Sequence, residues 1–389
     1  MSHACYVAIY LDYAATAPMP PRVLDAYTSA LRLVGNPASI HSQGQEAKRI
    51  LEEAREAVAA SLGADRVEVT FTGGGTEAVN LGIKGLFWSR AAADPARTRI
   101  VVPMAEHHAT IEAVEWLAQH EGAVVEWIPV DSLGRIDRVA LEAALAVNNG
   151  ADVALVTLLM ANNEIGTIQP VAEVAALAAA HGVPVHVDAI SAYGHLPIDF
   201  HALGVAALSV SAHKIGGPVG LGALLIARSA RVTPLVHGGS QQRGRSGTQD
   251  AAGAAAFAVA ATLAHAPDPV LRDRLIAGVH AAVPTAVLRG DPDPAGRLPG
   301  NAHFTFPGCE GDSLLFLLDS AGFSVSTGSA CQAGVPEASH VLLALGLDEP
   351  TARGALRFTL GPDTTIAEVD ALIAALPPAV AQARSAGLA

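Results

Sequence analysis

The sequence predicts an α/β protein: a large, mostly parallel sheet covered by helices on both faces, joined to a smaller α+β domain. Three observations point there. Short β-branched runs alternate with Ala-rich amphipathic stretches through the first two thirds of the 389 residues, the pattern of parallel strands joined by helical crossovers. A composition of 51% hydrophobic residues with 37 Gly and only 4% aromatics suits buried strands and Ala-rich helices rather than a disordered chain. Beyond about Asp250 the rhythm changes to long Ala/Leu helices.

In chain order, residues 67–71 read as a strand with a helix from about Thr76, and residues 99–102 as a strand with a helix from about His107. Runs at 153–157, 183–187, 207–210 and 222–226 continue the series. In a sheet of this kind, functional loops lie at the carboxyl ends of the strands. Helices follow at 251–266 and 268–283, then strands at 301–306 and 356–360 and a closing helix over 364–388. The Pro/Gly-rich stretch 289–297 is a loop. Residues 13–250 are assigned to the large domain, and residues 1–12 with 251–389 to the small one.

Charge and cysteine content narrow the function. With 24 Lys+Arg against 37 Asp+Glu, the net charge of −13 opposes extended contact with a phosphate backbone, so no direct nucleic-acid ligand is expected. The N-terminus lacks the basic flank and long apolar core of a secretory signal. The longest apolar stretch, 251–266, is too short for a membrane span and is flanked by Asp250 and Asp268. No membrane association and a cytoplasmic location are therefore expected. Cys5, Cys309 and Cys331 are odd in number and far apart, as suits free thiols in a reducing compartment.

Several segments carry chemistry. Gly73, Gly74 and Gly75 stand between a strand and a helix that opens on Thr76, where backbone amides and a hydroxyl can hold a phosphate; the same glycines serve equally for a tight turn. Asp188 ends an apolar strand, where a carboxylate needs a cationic partner such as a pyridinium nitrogen, or else caps the next helix. Ser211, His213 and Lys214 follow the next strand, and a lysine desolvated at a strand end can form a Schiff base. His107 belongs to the same sheet edge, where an imidazole can stack on a flat ring and move protons; His108 reads as a packing residue. No Cys/His cluster with ligand spacing joins them, and no metal site is expected. Cys331 lies among small polar residues, the setting of an accessible thiol, whereas Cys309 reads as structural.

Together these segments resemble the cysteine desulfurases of the class V aminotransferase group, within the fold-type I pyridoxal-phosphate enzymes. The matching stretches span nearly the whole chain: 10–16, 35–41, 74–77, 106–108, 161–167, 187–189, 211–214, 245–248, 326–331 and 352–357. The resemblance implies that Lys214 carries pyridoxal 5'-phosphate as a Schiff base, Asp188 pairs with the ring nitrogen and His107 stacks on the ring. Gly75, Thr76, Ser211 and His213 would hold the phosphate, with Asn163 at the ring's edge. Thr248 would reach the cofactor of a neighbouring subunit, implying a homodimer. Arg357 would clamp the carboxylate of L-cysteine, with Asn36 nearby.

By the same resemblance, L-cysteine is converted to L-alanine and its sulfur passes to Cys331 as a persulfide. The residues around Cys331 resemble the long-loop branch, which delivers sulfur to acceptor proteins such as an iron-sulfur scaffold, or for thiolation. A selenocysteine lyase and a sulfur-relay scaffold with little turnover share much of this pattern. The chain departs from it at Ser191, where Gln usually contacts the ring hydroxyl and where a water bridge would be needed. It departs again near Arg243, where one residue is missing and Gln242 replaces a common Glu, and at Ala17, in a usual Thr-Thr pair.

Overall fold

The computed structural model describes residues 8–328 and 338–386, apart from the side chain of residue 386. Its strands are β1 (Ile9–Tyr10), β2 (Val69–Thr72), β3 (Arg99–Pro103), β4 (Val124–Ile128), β5 (Val153–Leu159) and β6 (Val185–Asp188). They continue with β7 (Ala207–Ser211), β8 (Gly222–Ile226), β9 (Val287–Arg289), β10 (Asn301–Thr305), β11 (Phe323–Ser324) and β12 (Ala355–Thr359).

Seven strands form the main sheet in the order β2-β8-β7-β6-β5-β3-β4. All neighbours are parallel except β8, which runs antiparallel to β2 and β7. Both faces are covered, so the central strands read as continuous apolar runs rather than alternating ones. Alternation survives in where the side chains go. Ala223 and Leu225 of β8 join one core, with Phe257 and residues of helix Ser42–Ser61, while Leu224 and Ile226 join the other, beneath helices Gly75–Ala93 and His108–Glu121. β4 was not visible as a strand in the sequence. It is the sheet edge, with Val124 exposed and Glu126 and Trp127 half-buried, so its hydrophobic signature is diluted.

The smaller unit is an antiparallel sheet in the order β12-β10-β9 covered by helices Pro269–Ala282, Gly311–Ser320 and Ile366–Ala386. The chain start belongs to this layer: β1 pairs in parallel with β11, and Leu11 is fully buried in this core. At the other boundary the packing differs from the expected break at 250. Helix Ala251–Leu263 buries Ala254 and Phe257 in the core of the large sheet and Ala256 and Ala260 against Val23. Its alanines permit close approach to helices Pro21–Ala30 and Ser42–Ser61, so the large unit's packing extends through this helix.

Within Ile366–Ala386, residues Ile366–Ser385 are long and apolar enough to cross a membrane, with a mean hydropathy of 1.3. Val369, Leu372, Leu376 and Val380 of that helix are instead buried in the small core. Gln242 acts structurally: its side chain accepts from Phe71 N at 3.1 Å and donates to Phe71 O at 2.7 Å, extending the ladder beside β2. Arg243 donates to the carbonyls of Ile226, Ala227 and Ala230.

Candidate active site

The carboxyl ends of β2, β6 and β7 meet around a cleft of about 220 Å³. Helix Gly75–Ala93 starts there, its first amides unbonded within the helix and its positive end toward the opening. Gly75 keeps this wall open: a Cβ there would come within 2.4 Å of Ile190 Cδ1 and 3.2 Å of Ser211 Cβ, and the end of the Ile190 side chain would have to shift. Ser211, at the end of β7, has a buried hydroxyl with no hydrogen-bond partner among the described residues. Such an orphan beside a helix N-terminus suits a phosphate. Thr76 and His213 complete this wall.

Asp188 ends β6, almost fully buried, with Oδ1 accepting from Ile190 N at 2.9 Å. Burial raises its pKa to about 6, although the nearby Lys214 pulls the other way. Lys214 stands in the single turn Ala212–Ile215 that follows β7. Its amine donates to the carbonyls of Ala14 and Ala15. Burial, helped by the Arg357 charge and opposed by Asp12 and Asp188, lowers its pKa to about 8. A poised amine and a buried carboxylate thus face one cleft, the pairing expected where proton transfers are carried out.

His107 lines the cleft as N-cap of helix His108–Glu121, with Nδ1 accepting from Ala109 N at 3.1 Å. That contact leaves the proton of the neutral ring on Nε2. Desolvation first, then Lys214, push its pKa down. His108 packs edge-on against His340 at 4.6 Å between ring centres. Asn163 completes the cleft and passes it to Arg357, whose guanidinium donates to Asn163 O at 2.9 Å and to Asp12 Oδ1 at 2.7 Å. Arg357 is 5% exposed, and its Nε has no hydrogen-bond partner among the described residues. Through the bridge Ser326↔Arg357 it sits at the base of the segment leading to Cys331, a residue that lies outside the described ones, as does Cys5. Cys309 is buried in the small core.

Eight of the expected residues therefore converge on the cleft: Gly75, Thr76, His107, Asn163, Asp188, Ser211, His213 and Lys214. Two do not line it. Thr248 is exposed, and Asn36 is exposed with Oδ1 accepting from Ala38 N at 2.9 Å. The individual parts played by the chain start were missed: Asp12 pairs with Arg357, Ala14 and Ala15 hold Lys214, and Ala17 N donates to His213 O at 2.9 Å. The one available signal was an aspartate breaking the apolar run before Tyr13.

Glu106 was also missed. It is fully buried and accepts from Leu159 N at 2.9 Å, and desolvation, reinforced by Asp188, raises its pKa well above 4.5. Asp65, Glu68 and His201 bring donor atoms within 4.8 Å of one another, but Glu68 already pairs with His201 and Asp65 with Arg228. The donor set of the cleft fits pyridoxal phosphate: an amine for its aldehyde, a carboxylate for its ring nitrogen, and an orphan hydroxyl with helix-end amides for its phosphate.

Comparison with known proteins places the chain in a family. Residues 9–372 match the family described as aminotransferase class-V. An IscS-like cysteine desulfurase of Mycobacterium tuberculosis (strain ATCC 25618 / H37Rv) is 51% identical over 388 residues, covering 98% of each chain. A solved structure of a NifS-like protein is 34% identical, with a TM-score of 0.86 over 96% of this chain and 100% of that one. Another, titled SspA in complex with cysteine, is 29% identical, with a TM-score of 0.78 over 92% of this chain and 100% of that one. The chain accordingly belongs to the aminotransferase class-V family.

Proposed function

We propose that the protein is a pyridoxal-phosphate-dependent cysteine desulfurase, converting L-cysteine to L-alanine and passing the sulfur to Cys331 for delivery to acceptor proteins. The observation that carries this reading is the convergence of Lys214, Asp188 and the phosphate-binding turn in one cleft. When bound, the cofactor supplies an electron sink for the charge left at the substrate's α-carbon.

The remaining work falls to the chain. Arg357, desolvated and held flat by Asp12 and Asn163, receives the substrate carboxylate as a planar two-donor partner. Lys214 Nζ takes the α-proton, and a pKa near 8 leaves a useful share of free amine at neutral pH. His107, neutral with its proton on Nε2, moves protons at the open side. Cys331 Sγ attacks the substrate sulfur as a thiolate: an S–S bond forms, the Cβ–S bond of the substrate breaks with its electron pair going to carbon, and the carbon fragment takes up one proton at Cβ, regains the α-proton from Lys214 and leaves as alanine.

The reading includes a cytoplasmic homodimer. Thr248 lies exposed, away from its own cleft, where it can serve a second subunit. Leu33, Val34 and Ile40, flanking Asn36, are exposed apolar side chains that a second copy would cover. A protein-bound persulfide can be handed on to acceptor proteins, in iron-sulfur cluster assembly or in thiolation. The test is alanine production from L-cysteine by a Cys331→Ala protein: activity should disappear while cofactor absorption stays. Alanine released at the wild-type rate would refute the reading.

A further inference from the structure

The departure at Ser191 lies beside a second, smaller cavity. Residues 189–196 fold into consecutive turns, with Tyr193 N donating to Ala189 O at 2.8 Å and Leu196 N to Ala192 O at 2.9 Å. Ser191 and His195 belong to successive turns of this segment and line the same cavity. Gly194, at φ 80°, brings the turn against the segment after Lys214; a Cβ there would come within 2.6 Å of Ile215 Cγ2.

Ser191 and His195 line a cavity of about 30 Å³ with Tyr13, Asn163 and Lys214, room for one or two waters. It shares Asn163, Ser191 and Lys214 with the main cleft but none of the phosphate-binding residues. His195 Nδ1 is buried without a hydrogen-bond partner among the described residues, which in a folded protein points to an unseen partner.

The chemistry of the cofactor says which partner. In pyridoxal phosphate the aldehyde carbon is flanked by the phosphate arm on one side and the ring hydroxyl on the other. With Gly75, Thr76 and Ser211 holding the phosphate on one side of Lys214, the hydroxyl side would face this second cavity. We propose that Ser191 and His195 together hold an ordered water on the ring hydroxyl, with His195 as its positioning residue. The inference rests on the pyridoxal-phosphate reading of the cleft. Desolvation, with Lys214 adding to it, lowers the pKa of His195 to about 4, so the ring is neutral at working pH and acts as a hydrogen-bonding group rather than a charge. The other titratable groups lining its two cavities are Tyr13, Lys214, His265 and Asp363, and Arg357, Asp12 and Asp188 act on Lys214.

The test is a pH titration of the visible absorption of the cofactor-loaded protein, with cofactor affinity measured alongside. A donor on the ring oxygen stabilises its negative charge, so losing it makes the proton beside Lys214 harder to remove. In His195→Leu the absorption midpoint should move up by about one pH unit and cofactor affinity fall about tenfold, the size of one hydrogen bond. Adding Ser191→Gln, which reaches the hydroxyl directly, should restore both. Should His195→Leu fail to fold, Ser191→Ala must show the same upward shift, and His195→Asn, which keeps a hydrogen-bonding group, must lie nearer wild type. A wild-type midpoint and affinity in His195→Leu, or in Ser191→Ala, would overturn the proposal. A wild-type protein that takes up no cofactor would instead overturn the reading of the cleft, and this inference with it.

Discussion

Replacing Lys214 by methionine is expected to stabilise the cofactor-free protein while abolishing its activity. The amine is held at a pKa of about 8 against an ordinary 10.5, chiefly by desolvation. That difference, 10.5 less 8, is about 2.5 units, or about 3 kcal/mol of destabilisation. Below pH 8 the folded and unfolded chains both hold the proton, and the whole penalty stands. Between pH 8 and 10.5 the folded chain releases its proton first, so wild-type stability rises with pH, and above 10.5 the penalty is gone.

Methionine matches the length of the side chain and removes the penalty at every pH. It also loses the hydrogen bonds to Ala14 and Ala15, worth about 1 kcal/mol net. The expected gain is therefore about 2 kcal/mol at pH 7, falling to about zero near pH 10. Urea denaturation of both proteins at the two pH values measures it. A variant less stable than wild type at pH 7, or a difference that does not shrink as pH rises, would refute this account of Lys214.

Ser211→Ala should weaken cofactor binding about tenfold, seen by equilibrium dialysis, yet raise the stability of the cofactor-free protein slightly, because an unpartnered buried hydroxyl disappears. His186→Leu should lower stability by about 3 kcal/mol in urea titrations. The buried imidazole joins Thr157 Oγ1 at 2.9 Å and Ser209 Oγ at 2.8 Å, and its loss strands both hydroxyls. Arg357→Lys should raise KM for L-cysteine about tenfold or more with cofactor absorption unchanged, since an ammonium cannot keep both Asn163 and Asp12 and still offer a flat edge to substrate.

Most strands of the large sheet were legible in the sequence because strands buried on both faces leave unbroken apolar runs, as at 153–157 and 222–226. Edge strand β4 and the two-residue β1 left no such run. Helix Ala251–Leu263 followed a change of rhythm at Asp250, but rhythm reports secondary structure and not which core a helix fills; Phe257 settles that by packing beneath the large sheet. The eight expected residues that line the cleft sit at or just after strand ends, where loop position follows from topology.

By itself the sequence determined the α/β class, the strand-end placement of Asp188 and Lys214, and the family resemblance that names Cys331 as sulfur acceptor. Only the tertiary structure decided that Asp12 neutralises Arg357 across 345 residues of chain, that Ala14 and Ala15 hold the Lys214 amine, and that His195 joins Ser191 beside it. The physical reason is range. Periodicity and turn chemistry act over a few neighbouring residues, whereas desolvation, ion pairing and an orphaned imidazole depend on what distant segments bring together.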